Sequence, residues 1–237
     1  MNHTLCSVNW NQRKVMELML KSYVMTHYTG APLDLMLVDN GSNDDSKQWL
    51  TENGVPFIDC PINLGHEAAV NMVYKKIDTQ YCMLVDTDVQ FMVHLGDLVN
   101  RLNDQIIAAG DLITGDVLGD SVKPRIGAWM FLFDIQKMKE CGVMKFRDTI
   151  HWSYDVGSWM TEQIFENGFK HIQIDRKPGS IDFDVIGMDY GWYRHFGKMS
   201  WSLSHHIDRI DEVKMRLKFV EEELKKYEDI DLKGKFI

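Results

Sequence analysis

Leu84-Val85-Asp86-Thr87-Asp88-Val89 is an apolar run that closes on two acids one residue apart, and what stands upstream of it decides the fold. Ahead of it apolar stretches alternate with helical periodicity. The pattern predicts strands near residues 5–8, 33–38, 55–59 and 81–85, with helices near 14–25, 46–53 and 67–76 between them. That alternation predicts a doubly wound, mostly parallel α/β sheet with right-handed crossovers. Each predicted strand ends in polar residues: Asn9 and Asn11, Asp39 and Asn40, Asn63, then Asp86 and Asp88. Open α/β sheets bind ligands at the carboxyl ends of their strands, so these side chains are expected to line one crevice.

Downstream the pattern is less regular. A helix is predicted near 95–102, strands near 106–109 and 128–133, and a helix near 155–167 closed by Gly168. In the tail Ile210, Val213, Leu217, Val220, Leu224 and Tyr227 follow a 3-4-3-4-3 spacing, a heptad seam too short for a free coiled coil. The seam suits packing on its own domain, a homodimer contact, or a membrane-surface helix; the mixed charge of its polar face counts against the last. With no repeat or dividing linker, residues 1–204 are expected to form one domain, regular in pattern over about 1–90 and less so over about 91–204. Residues 205–237 form the C-terminal helix and tail.

At 237 residues and 45% hydrophobic content the chain can bury a core by itself. It has no signal-peptide core and no apolar run near the roughly 20 residues that cross a bilayer, so a soluble, cytoplasmic protein is expected. Cys6, Cys60, Cys82 and Cys141 lack paired spacing and read as buried free thiols. A formal charge of -9 disfavours binding to nucleic acid, which relies on neutralising phosphates.

Paired carboxylates suit Mn²⁺ or Mg²⁺ on a diphosphate, where the metal neutralises the leaving group. Several candidates have structural alternatives. Asp44 and Asp45 can cap a helix, Asp39 can form a turn before Asn40-Gly41, and Gly65 can be a turn at a helix start. Taken in order, Leu37-Val38-Asp39-Asn40-Gly41-Ser42, Asn63-Leu64-Gly65-His66-Glu67-Ala68-Ala69-Val70-Asn71 and the Asp86-Thr87-Asp88 run resemble family 2 glycosyltransferases of the GT-A fold. The resemblance spans roughly residues 4–200, is most specific in the first ninety, and implies a nucleotide-binding half over about 1–90 and an acceptor-side half over about 91–204.

The resemblance implies Asp88 as direct metal ligand, Asp86 at the ribose or a metal-bound water, and Asp39 at the nucleotide base. Asn9, Asn11, Asn63 and Gly65 would line the donor. Gly127 and Ala128, in Ile126-Gly127-Ala128-Trp129, would leave room for the transferred sugar, and Trp129 is an acceptor platform or a core residue. In Trp152-Ser153-Tyr154-Asp155 the family has an acidic pair; Tyr154 replaces the first acid, and Asp155 is the candidate general base or a helix cap. His195 resembles the late metal-binding histidine, with His205 and His206 as competitors.

Together these roles imply an inverting transfer from a nucleoside-diphosphate sugar, UDP by preference, to a hydroxyl of a glycan or lipid-linked glycan. Transfer to a modified DNA base is disfavoured by the acidic charge. A nucleotidyltransferase lacks support, because Asn9-Trp10-Asn11-Gln12-Arg13 has no glycine for a triphosphate loop. A non-catalytic sugar- or nucleotide-binding module is the remaining rival.

Overall fold

The computed structural model describes residues 2–114, 123–147, 157–177, 188–196 and 210–237. Strand β1 (His3–Asn9) is buried along its whole length because it lies between β2 (Leu35–Asn40) and β4 (Tyr81–Asp86), parallel to both. Side chains alternate between the two faces of such a strand. Met83 and Val85 meet helix α1 (Arg13–His27) through Met16, Met19, Leu20 and Tyr23, while Cys82 and Leu84 meet α3 (His66–Tyr74) through Ala69, Val70 and Val73. Helices thus cover both faces, as the doubly wound reading expects.

Beyond β2 lies β3 (Ile58–Cys60), parallel and shorter than expected. Pro56 has no N–H for the ladder, so pairing starts after it. Helix α2 (Ser46–Glu52) connects the two strands. The other half runs through β5 (Val89–Phe91), the one-turn α4 (Gly96–Val99) and β6 (Ile106–Gly110). The helix predicted near 95–102 is cut short where Asn103 Oδ1 accepts the N–H groups of Gln105 and Ile106, turning the chain into β6.

Two short strands come next, β7 (Leu112–Ile113) and β8 (Arg125–Ile126), paired antiparallel. They return the chain to the edge of the sheet where β6 ended, so β9 (Met130–Asp134) must run back, antiparallel to both β4 and β6. With β10 (Lys170–Gln173) parallel to β6, the seven-stranded order is β10-β6-β9-β4-β1-β2-β3. The one reversed strand leaves the carboxyl ends of β1, β2, β4, β6 and β10 on a common edge.

Helix α5 (Ile135–Glu140) is capped by Asp134, whose Oδ1 accepts the Lys137 N–H at 2.8 Å. Helix α6 (Ser158–Glu166) ends as its sequence predicts: Gly168 has φ +78, its N–H bonds to Phe165 O, and that of Phe169 to Ile164 O. Cys6, Cys60 and Cys82 are buried free thiols, but Cys141, expected buried, is exposed because it terminates α5 at the surface.

Helix α7 (Ile210–Leu224) lays Val213 and Val220, with Tyr227 beyond it, against Val15 and Leu18 of α1 and against Phe196. The seam therefore packs within the chain, the first of its three alternatives. No helix among the described residues is long and apolar enough to cross a membrane.

Candidate active site

The common edge is where the polar strand ends meet. Register places Asn9 beside Asp39 and Val8 beside Asp86. After Asp86 the chain turns through Thr87 and Asp88 and leaves the main sheet as β5. There it joins a three-stranded ribbon with β12 (Tyr193–His195) and β11 (Met188–Asp189). The antiparallel pairing sets His195 opposite Val89, and the Phe196 N–H donates to Asp88 O at 2.9 Å. A residue distant in sequence is thereby fixed beside the acids.

Asp86, Asp88 and His195 each offer a ligand atom, all within 4.8 Å of one another, and His195 Nε2 lies 3.3 Å from Asp88 Oδ1. Carboxylate oxygens with one imidazole form a donor set suited to Mn²⁺ and acceptable to Mg²⁺. Asp88 and His195 are buried, and Asp86 is the more open acid. The buried His195 Nδ1 has no hydrogen-bond partner among the described residues. Its ring is held instead by Trp129, stacked at 5.0 Å between centroids and 9° between planes. The residues present thus fit a divalent ion.

Of the two readings of Trp129, its packing matches the core residue. Its carbonyl accepts the Asp86 N–H at 3.3 Å, and its ring folds over Gly127, where an added Cβ would come within 2.4 Å of it. The room predicted beside Gly127 for a sugar is filled by this ring, and Trp129 supports His195 instead of standing free as a platform. Ala128 is buried next to it.

On the other flank, Asn9 Nδ2 donates to Asp39 Oδ2 at 2.9 Å and to Ser42 Oγ at 3.2 Å, while the Ser42 N–H donates to Asp39 Oδ1 at 2.9 Å. Asn11, at φ +54, donates its N–H to Ser42 Oγ and accepts the Asn43 N–H on Oδ1. Asp39 is fully covered and ties β1 to the turn after β2. Lys47 stands 3.8 Å from it and 2.5 Å from Asp59, whose hydrogen bond raises the Lys47 ammonium above its ordinary range.

Asn40 and Asn63 hold the next loop reciprocally: Asn63 Oδ1 accepts from Asn40 Nδ2 and the Gly65 N–H, and Asn40 Oδ1 accepts the Leu64 N–H. Gly65 has φ +85 and open space where a Cβ would be. Gly41, at φ +76, has Ile62 C only 2.4 Å from an added Cβ. Gly41→Ala is expected to cost about 3 kcal/mol of stability, read from urea denaturation, through forced backbone strain and overlap.

Tyr154, Asp155, His205 and His206 lie outside the described residues. Gly157, with φ +92, is pressed against Ile126 O, and Thr161 Oγ1 accepts the Ile126 N–H. Helix α6 thus starts beside the Gly127 turn.

Several residues near the site had no assigned role in the sequence reading. His66, first in α3 after Gly65, has Nε2 at 3.8 Å from Asp86 Oδ1; its place inside the Asn63–Asn71 run was the available signal. Asn71 binds the backbone of Phe146 and Arg147. Glu223 of α7 accepts from Gln90 at 2.8 Å and from Lys226 at 2.5 Å. Burial raises its carboxyl, but those bonds and the Arg194 charge overcome this and hold it below the ordinary carboxylate range.

Comparison with known proteins agrees with this geometry. No curated protein sequence matches the chain. Among solved structures it is similar to the mannosyltransferase PcManGT from Pyrobaculum calidifontis in complex with GDP-Man and Mn²⁺. The TM-score is 0.55 at 14% identity, over 73% of this chain and 54% of that one. S. aureus TarS 1-349 gives 0.57 at 10% identity over 95% and 72%. GalNAc-T7 with UDP, GalNAc and Mn²⁺ gives 0.53 at 12% over 72% and 42%. The chain spans about half the length of the mannosyltransferase, and the likeness is one of fold, the GT-A arrangement that the family resemblance implied. The profile described as Glycosyl transferase family 2 matches residues 4–158, well over half of the sequence, so the chain belongs to that family.

Proposed function

We propose that the protein is a metal-dependent, inverting glycosyltransferase that moves a sugar from a nucleoside-diphosphate sugar, UDP-linked by preference, to a hydroxyl of a glycan or lipid-linked glycan. The observation that carries this is the convergence of Asp86, Asp88 and His195 at the carboxyl edge of the sheet. Relatives of the same fold bind GDP-Man with Mn²⁺ and UDP with Mn²⁺.

In this reading Asp88 and His195 hold Mn²⁺ or Mg²⁺, and Asp86 serves the ribose or a metal-bound water. The ion supplies charge neutralisation for the departing diphosphate. Asp39, with Asn9 and Asn11 around it, recognises the base, and Asn63 and Gly65 shape the loop over the donor. Asp39 reaches a ligand only if the Asn11–Ser42 turn gives way, since the carboxylate is covered. Gly127 and Ala128 act on the sugar side by shaping the turn that carries Trp129, and Tyr154 is assigned to the acceptor side. Asp155 takes the proton from the acceptor hydroxyl as its oxygen bonds to the anomeric carbon. The bond from that carbon to the phosphate oxygen breaks with its electron pair leaving on the diphosphate. One displacement inverts the centre, and no covalent enzyme intermediate is needed.

Calorimetric titration of UDP, GDP and dTDP, each with and without Mn²⁺, tests the site: one nucleotide is expected to bind only with metal. Asp155→Asn should keep that binding and lower transfer about 100-fold. Equal loss of nucleotide affinity in that variant would make Asp155 structural.

A further inference from the structure

We propose that Glu223, on the C-terminal helix, is a positioning residue that sets the spacing of Asp88 and His195 from behind the ribbon that carries them. This rests on the reading of those two residues as metal ligands. Gln90 and Arg194 face each other across β5 and β12, one register step from the Val89–His195 pair. Successive side chains of a strand point to opposite faces, so Arg194 turns towards α7 while His195 turns towards the acids.

Glu223 Oε2 takes both: Gln90 Nε2 donates to it at 2.8 Å, and Arg194 Nη1 stands 3.8 Å away. Gln90 Nε2 also donates to the Tyr227 hydroxyl at 3.0 Å, and Lys226 donates to Glu223 Oε1. This helix also packs on α1 and Phe196 through apolar side chains, with the exposed Lys14–Glu221 ion pair beside them. A buried carboxylate in such a seam costs several kcal/mol of desolvation, and a hydrophobic residue would serve adhesion as well. What the carboxylate adds is direction: one oxygen fixes a side chain from each strand and so the distance between the strands. The ribbon then presents the two ligands without adjustment when the ion arrives. Outer-shell partners of metal ligands are worth about 10–100-fold in affinity, and an indirect one belongs at the lower end.

The test is Mn²⁺ binding, tracked by the EPR signal of the free ion, alone and with UDP or GDP present. Glu223→Gln and Gln90→Met are each expected to raise the Mn²⁺ Kd about tenfold while the protein stays folded by circular dichroism. The double variant is expected to be no weaker than either single, because both remove one interaction. Exposed Glu222→Gln should leave the Kd unchanged. An unchanged Kd in Glu223→Gln, or losses that add in the double variant, overturns the proposal. Should Glu223→Gln fail to fold, Gln90→Met decides alone, and an unchanged Kd there overturns it equally. Asp88→Asn separates the two readings. If it binds Mn²⁺ as the wild type does, the metal site itself is misassigned and this proposal falls with it; if it loses the ion while Glu223→Gln keeps it, only the role of Glu223 is lost.

Discussion

Asp88→Asn is expected to abolish metal-dependent nucleotide binding and to lower sugar transfer about 1000-fold. The reasoning starts from the geometry of the acid. Asp88 is buried, its backbone carbonyl is held by the Phe196 N–H, and its carboxylate lies 3.3 Å from His195 Nε2. Asparagine keeps the shape and offers a neutral oxygen, so the backbone pairing of the ribbon survives while the charge that attracts the cation is gone. Metal stabilisation of developing charge is worth several kcal/mol, and about 4 kcal/mol corresponds to three orders of magnitude in rate. Initial-rate assays across a Mn²⁺ series, with stability measured in parallel, check this. Near-normal transfer by a folded Asp88→Asn protein would show that the pair of acids does not hold the ion.

A second large effect is expected at the opposite end of the sheet. His3 Nε2 meets the Tyr23 hydroxyl at 2.7 Å, His27 stacks on Tyr23 at 4.3 Å, and His27 Nε2 accepts the Leu95 N–H. An imidazole that accepts a backbone N–H at one nitrogen must be neutral. Burial, with His94 close by, pushes His3 down to about 4 and His27 to about 3 from 6.5. The unfolded chain therefore binds more protons than the folded one below about pH 6.5, and stability falls as pH drops from there until the folded values are passed. Between about pH 7.5 and pH 5 each histidine costs about 2 kcal/mol, and the pair about 4. Urea midpoints at the two pH values measure it. His27→Gln, whose side-chain oxygen can still accept the Leu95 N–H, should remove about half of the slope. A midpoint that does not move would mean that the two rings are charged in the fold.

The architecture was legible where periodicity and turn chemistry act locally. The strand–helix alternation up to Asp86, the polar ends of its strands and the Gly168 cap are written in spacing alone. The direction of β9 was not, because it depends on where the β7–β8 excursion returns the chain, a matter of connection and not of pattern. The pairing of His195 with Asp88 could be reached from sequence only through family resemblance, since no local signal joins β5 to β12. Gly127 shows the reverse problem: a small residue announces that something is close, and here the neighbour is the ring of Trp129, two residues on. Glu223 stands in the run Glu221-Glu222-Glu223 on the polar side of the heptad seam, and only its burial separates it from the other two.

The placement of His195 on the last strand of the ribbon has a consequence for how the protein is made. Asp88 is in place once the first half of the sheet forms, but its partner arrives only after the chain has travelled through the rest of the sheet and closed a long loop. Closure entropy grows slowly with loop length, so the cost is modest in free energy, yet contacts so distant in sequence form late. An ion that needs both side chains therefore selects finished molecules over half-built ones. By mass action such an ion would stabilise the folded chain, so the proposed metal centre would seal the fold as well as serve the chemistry.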